Sequence, residues 1–325
     1  MQHNFIYGGE VRWDSRQLEA LAAVITEGSF EGAARALHVT PSAVSQRVRA
    51  LENAAGSVLV RRTRPVAPTE PGRTMLRLAR QVELLGAEAS RALGPGATDD
   101  GGDPGDARRP VTVPLAVNAD SLATWVLPAL AQVEGVCFDL YREDQDRTVD
   151  LLPAGVVMAA ITSQREPVQG CSSAPLGITR YRPVATPAMI ERWFPDGPTA
   201  DALGRAPVVV FNRADDLQDV WLRDRAAATG AAVPDPPRHH VPSTAEYLDA
   251  VRRGLGWGMW GPLPGPDARF PVLGDALERG EVRTLADDAV VDVPVYLQQW
   301  KLRSEVLDRV TGALRAEARR VLPQR

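Results

Sequence analysis

Nine arginines (Arg35, Arg47, Arg49, Arg61, Arg62, Arg64, Arg73, Arg77 and Arg80) fall between residues 35 and 80, opposed by only two acids, Glu52 and Glu70. The whole chain nevertheless carries a formal net charge of -4, so the remainder is acidic. The field at a surface depends on where charges sit rather than on their sum. Two chemistries are therefore expected in two regions: one that meets phosphates and one that meets something else, with a cation the natural partner of the acidic part.

In the basic region the stretch "HVTPSAVSQRVRALE" has the polar spacing of a helix that lies on DNA. Ser42, Ser45, Gln46 and Arg49 form its candidate groove face, since glutamine pairs with adenine and arginine with guanine through two hydrogen bonds each. Arg47, Arg61, Arg62, Arg64 and Thr69 are placed for the phosphate backbone, which positions a protein without reading sequence. In the acidic region "NADS" (Asn118, Ala119, Asp120, Ser121) sits at a strand-to-helix junction. Its free N–H groups and Ser121 suit an α-carboxylate and Asp120 suits an ammonium, although Asp120 is equally placed to be an ordinary helix cap. Glu143 and Asp144 end the next strand and add negative potential. Thr162 and Phe211 at later strand ends, with Ser243 and Thr244 before a helix, complete the candidate effector set.

These residues need a scaffold, and the periodicities supply one. Residues 16–27 carry Leu18, Leu21, Ala22 and Ile25 at helical spacing, with Gly28 as the stop. Ser29 caps a second helix, and Thr40 caps a third with Pro41 at its first position, where a missing N–H costs nothing. Three short helices with tight turns make a helix-turn-helix, and the arginine-rich "SVLVRRTRPVAPTEPG" reads as a hairpin wing, giving a DNA-binding domain over 13–70. Residues 71–93 form a long helix with one apolar stripe, Met75, Leu78, Val82, Leu85 and Ala89, expected to dimerise the chain. The Gly, Pro and Asp content of 94–110 predicts a flexible hinge. Beyond it, alternating strands and helices, among them a helix over 121–133 and a short one over 146–152, predict two α/β lobes, the first over 111–180 and 292–325 and the second over 181–291.

Several alternatives lack their equipment. Cys137 and Cys171 are the only cysteines, without CxxC spacing, and are expected to be reduced, partly buried thiols. His239 and His240 are adjacent and would point to opposite faces of a strand, so no metal is expected. No apolar run approaches the ~20 residues that cross a bilayer, and the N-terminus lacks the apolar core of a signal peptide, so the expected compartment is the cytoplasm. "GWGMWG" matches GxGxxG but follows a helix, and its tryptophans occupy the pyrophosphate's place; no cofactor is expected. An α/β enzyme would need a GxSxG, a Walker loop or a metal cluster, and none is present.

The stretch "AARALHVTPSAVSQRVRALENAAGSVLVRR", with "TEPG" after it, resembles the helix-turn-helix signature of LysR-type transcriptional regulators. The departures are Pro41 where a polar residue is common, Val60 where most family wings have phenylalanine, and a long 94–110 segment. "LAVNADSLATWVLPALA", with "RQVELL" and "APVVVF", is similar to the ArgP/LysG-like branch that senses basic amino acids and governs their export. The resemblance implies a winged helix-turn-helix, a linker helix and a periplasmic-binding-protein-like effector domain. It further implies a regulator of an amino acid exporter gene that takes L-lysine or L-arginine as effector. Its partners would be a double-stranded DNA operator, a second copy of itself, a tetramer built as a dimer of dimers, and RNA polymerase. The rival readings are a nucleoid-associated DNA-binding protein without effector and an α/β enzyme.

Overall fold

The computed structural model describes residues 13–93, 110–142, 150–261, 273–287 and 289–324. The hinge expected over 94–110 therefore lies outside the described residues apart from Pro110, as do Glu143 and Asp144.

The first domain folds as its local signals require. Helices α1 (Ser15–Thr26), α2 (Phe30–Ala36) and α3 (Pro41–Ala55) each begin at a side-chain cap: Asp14 accepts from the N–H groups of Arg16 and Gln17, Ser29 from Gly32, and Thr40 from Ala43. Gly28 (φ +65°) turns the chain between α1 and α2, and Gly56 (φ +63°) ends α3 in the left-handed conformation that glycine tolerates. Leu18, Leu21, Val24, Val44, Val48 and Leu51 fill the core between the helices, each contributing about 1.5–3 kcal/mol on burial. The wing is an antiparallel pair, β1 (Val60–Arg61) and β2 (Ala67–Pro68). Helix α4 (Glu70–Leu93) starts against it. A Cβ at Gly72 would stand 1.9 Å from the Leu59 carbonyl oxygen, so only glycine lets the helix leave the wing at this distance.

The apolar stripe of α4 divides. Met75 is buried and Leu78 half-buried against the first domain's core, whereas Val82, Leu85 and Ala89 remain exposed. The opposite side carries Leu84, which is buried in the core of the first lobe.

The second domain contains a seven-stranded sheet in the order β10-β6-β11-β5-β3-β4, with β9 also paired to β6. Its strands are β3 (Val111–Val117), β4 (Val136–Arg142), β5 (Ala159–Thr162), β6 (Cys171–Ala185), β9 (Gly258–Trp260), β10 (Arg283–Thr284) and β11 (Val291–Trp300). β3 runs parallel to β4 and β5, and the pairings of β6 and β11 are antiparallel. The second lobe adds a short parallel pair, β7 (Val208–Val210) and β8 (Arg238–His240). Around it pack α7 (Pro187–Trp193), α8 (Ala200–Arg205), α9 (Leu217–Thr229), α10 (Thr244–Arg252) and α11 (Leu273–Glu278); α12 (Glu305–Val321) returns to the first lobe.

Four expectations change. The lobe boundaries near 180 and 292 fall inside β6 and β11, which run through both lobes side by side; their register shifts between Val295 and Tyr296, opposite Gly177 (φ +147°). The helix expected over 121–133 is broken into α5 (Ala119–Ser121), a π-helical turn (Leu122–Val126) and α6 (Leu127–Leu130), because Pro128 has no N–H to donate to the preceding turn. The described part of the expected helix near 146–152 is a turn. Of the two thiols, Cys171 is buried but Cys137 is exposed. Trp257 and Trp260 of "GWGMWG" are core residues, Trp257 meeting Trp221 edge to face at 5.2 Å between centroids.

Candidate DNA face and effector cleft

With Val44, Val48 and Leu51 pointing inward, α3 presents Ser42, Gln46 and Arg49 to solvent, while Ser45 and Arg47 are half-buried. The Ser42 hydroxyl lies 2.9 Å from that of the cap, Thr40. Arg61, Arg62 and Arg64 stand exposed on the wing, Arg62 with its guanidinium 5.6 Å from the centre of the Phe30 ring. Glu52, an acid within the basic stretch, accepts the N–H groups of Leu59 (2.9 Å) and Val60 (3.4 Å) and so ties the wing to α3. Thr69 is bound inside the fold: its hydroxyl donates to the Val58 carbonyl at 2.6 Å and accepts the Gly72 N–H at 3.1 Å. Arg80 is also turned inward, donating to the Thr26 hydroxyl.

A cavity of about 350 Å³ lies between the lobes. Asn118, Ala119, Asp120, Ser121, Phe211 and Thr244 all line it, so the structure brings together six of the residues expected from sequence. Thr162 does not line it; its hydroxyl accepts the Gln164 N–H, and the neighbouring Ser163 faces the cavity instead. Ser243 stands at the start of α10 with its hydroxyl turned to Glu246. Asp120 is the junction of the cleft: Tyr181 of β6 donates to its Oδ2 at 2.6 Å, and Thr244 of the second lobe donates to its Oδ1 at 3.3 Å. Burial raises the Asp120 pKa above the ordinary carboxylate range even though both hydroxyls favour the ionised form. Burial, and then the charge of Asp120, push the Tyr181 phenol well above its usual value.

The second lobe contributes residues that the sequence reading missed. Asp215 accepts the N–H of Phe211 on Oδ2 and of Leu217 on Oδ1, both at 3.1 Å; burial raises its pKa, and the charge of Asp120 adds to the rise. Gln218 is buried and lines the cavity, donating from Nε2 to the Val209 carbonyl and the Tyr247 hydroxyl. The signal available was positional: "VVV" followed by "FNRADD" repeats the strand-then-acid order of "VTVPLAV" followed by "NAD", but "NRADD" reads as a polar loop.

The linker helix touches the sensor through more than its apolar side. Arg77 donates to the Gln169 carbonyl and lies 5.7 Å from the centre of the Trp300 ring. Glu88 accepts from the Ser304 hydroxyl (2.5 Å) and from the Val306 N–H (2.9 Å) at the start of α12.

A cationic helix for DNA at one end and a small-molecule cleft at the other define a transcriptional regulator that responds to a ligand. Comparison with known proteins agrees. The model described as bacterial regulatory helix-turn-helix protein, lysR family, matches residues 15–73, and the LysR substrate binding domain matches residues 111–264. The chain is 42% identical over 307 residues to the HTH-type transcriptional regulator LysG of Mycobacterium tuberculosis, covering 94% of this chain and 93% of that one. Its structure is similar to ArgP from Mycobacterium tuberculosis (TM-score 0.78, 40% identity, 97% of this chain and 100% of that one). It is also similar to full-length LysG from Corynebacterium glutamicum with bound effector Arg (TM-score 0.69, 35% identity, 96% of this chain and 100% of that one). The chain belongs to the LysR family: it is a DNA-binding transcriptional regulator and not an enzyme.

Proposed function

We propose that the effector is a basic amino acid, L-lysine or L-arginine, held between the two lobes, and that its binding controls transcription of an amino acid exporter gene. One observation carries the reading. The charged side chains that line the cavity among the described residues are four aspartates, Asp120, Asp215, Asp216 and Asp292, with no arginine, lysine or histidine. Asp292 is already paired with Arg180 at 2.7 and 2.8 Å, whereas Asp120 and Asp215 sit in the cleft without a cation among their hydrogen-bond partners. Burying a charge without a partner is unfavourable, and a cationic ligand supplies that partner. The bound arginine of the Corynebacterium glutamicum relative supports the same class of ligand.

The operator is double-stranded DNA, contacted at base edges by Ser42, Ser45, Gln46 and Arg49 and at phosphates by Arg47, Arg61, Arg62 and Arg64. Two-fold binding follows from a homodimer made by the exposed Val82, Leu85 and Ala89 of α4, with dimers pairing into tetramers on DNA and RNA polymerase as the further partner, in the cytoplasm. A thermal-shift series across the amino acids tests the effector: lysine or arginine should raise the melting temperature, since a ligand bound only by the folded state stabilises it. A shift with neutral amino acids and none with basic ones would refute the reading.

A further inference from the structure

We infer that the cleft reads the two cationic groups of its ligand separately, each through a carboxylate and an amide oxygen that has no partner among the described residues. Asp120 and Asn118 in the first lobe receive the α-ammonium, and Asp215 and Gln218 in the second receive the side-chain cation. The inference rests on the basic amino acid reading and adds the residues that set its specificity.

The two sets occupy equivalent places. Asn118 and Asp120 follow the end of β3, and Asp215 and Gln218 follow the end of β7, each at the entry to a helix. These are the crevice positions outside strand C-termini where α/β folds hold ligands. Each set also carries an acceptor without a partner. Asn118 stands at the cap position of α5 but makes no capping bond, and its buried Oδ1 has no partner among the described residues. Gln218 is 1% exposed, and its Oε1 is likewise buried and unpartnered. The orientation of that amide is fixed: the Val209 carbonyl, which can only accept, takes the Nε2 donor at 3.2 Å, leaving Oε1 as the free end. A buried acceptor without a donor is costly, and here one lies in each wall of a cavity next to a carboxylate whose ionised form burial disfavours. Lysine and arginine end in several N–H donors and a positive charge, which satisfy both groups of a set at once. The α-carboxylate belongs with the first lobe, where the hydroxyls of Ser121, Thr124 and Ser163 line the cavity.

Asp215 also holds the loop 211–217 through two backbone bonds, so its loss alone would not separate specificity from folding. Calorimetric titration of the full-length protein with lysine and norleucine, which has lysine's chain without its terminal ammonium, makes the separation. Wild-type protein should bind lysine at least about tenfold more tightly than norleucine. Asp215→Asn should cost lysine about tenfold or more and leave norleucine within about threefold. Gln218→Met, which keeps both loop bonds, should cost lysine about threefold to tenfold and spare norleucine. Asp120→Asn should weaken both ligands together. Equal losses for both ligands in Asp215→Asn and Gln218→Met, or an undiminished lysine preference in both, would overturn the assignment of the second lobe while the effector class stood. If Asp215→Asn binds neither ligand, Gln218→Met alone decides. Wild-type protein that binds no basic amino acid would instead remove the effector class itself.

Discussion

The DNA face and the effector cleft solve opposite versions of one electrostatic problem. Arg49, Arg61, Arg62 and Arg64 stand in solvent, where water screens their mutual repulsion and the face exists complete before its partner arrives. Asp120 and Asp215 sit where water is scarce, and burial raises the pKa of both. The first surface keeps its charges hydrated; the second holds carboxylates whose ionised form burial disfavours. A solvated cationic face gains affinity by releasing counterions, whereas a buried anionic site gains it by removing a penalty already present in the fold.

Salt should separate the two most strongly. Raising it from about 50 to 200 mM should weaken operator binding by a factor on the order of 10³ or more if six or more phosphates are neutralised. Lysine affinity over the same range should change only a few-fold, because buried pairs are screened much less. Fluorescence anisotropy on a labelled operator and calorimetry at matched salt measure both, and similar salt slopes would erase the contrast.

Within the DNA face, Arg49→Ala should cost about 1–3 kcal/mol on the preferred sequence and far less on random DNA. Arg62→Ala should weaken both DNAs alike and reduce the salt slope by about one. Equal losses on the two DNAs for Arg49→Ala would move that residue from the groove to the backbone.

The two regions also differed in how far their sequences disclosed them. In the DNA-binding domain the controlling signals are local: Ser29, Thr40 and Pro41 begin helices within a few residues of where they act, and Gly28 ends one. Helix α4 was legible in extent but not in partnership, because Leu84 enters the core of the first lobe and Glu88 meets Ser304 and Val306, more than two hundred positions away. In the cleft, "NADS" stood out because a strong strand precedes it, and Thr244 because it opens a helix. Tyr181 lies inside a fifteen-residue strand with Pro175, Gly177 and Pro183, which breaks any period-two pattern, and its pairing to Asp120 is set by tertiary folding alone.

The apo cleft carries a stability signature with a definite sign. Because burial raises the Asp120 pKa in the folded state, ionising it costs the folded protein more than the unfolded chain. Stability is therefore lost as pH rises from the ordinary carboxylate range through the raised folded value, and the loss persists at neutral pH. Asp120→Asn keeps an acceptor for Tyr181 and removes the charge. It should raise the ligand-free melting temperature at pH 7 by a few degrees, with a gain that shrinks on acidification, while reducing stabilisation by lysine. A variant less stable than wild type at pH 7 would mean that Asp120 is held ionised at no cost.

The smallest effect concerns the joint between the two regions. β11 places Asp292 and Val293 at the cleft and Trp300 at its far end, and the Trp300 ring lies beneath the guanidinium of Arg77 on α4. Glu88 fastens the same helix to the start of α12. These contacts make α4 the route by which we expect a displacement of β11 or α12 to reach the wing, through the junction at Gly72. Arg77→Met keeps the aliphatic contact and removes the bond to Gln169, and Glu88→Gln removes the charge from the cap of α12. Neither residue lines the cleft or stands on α3, so each variant should hold lysine affinity and ligand-free operator affinity within about threefold of wild type. The effect of lysine on operator affinity should nevertheless shrink, by about 0.5–2 kcal/mol of coupling. Operator titrations with and without saturating lysine measure that coupling directly. If both variants retain the full response, the signal passes elsewhere, and the exposed seam of Val82 and Leu85 becomes the next place to cut.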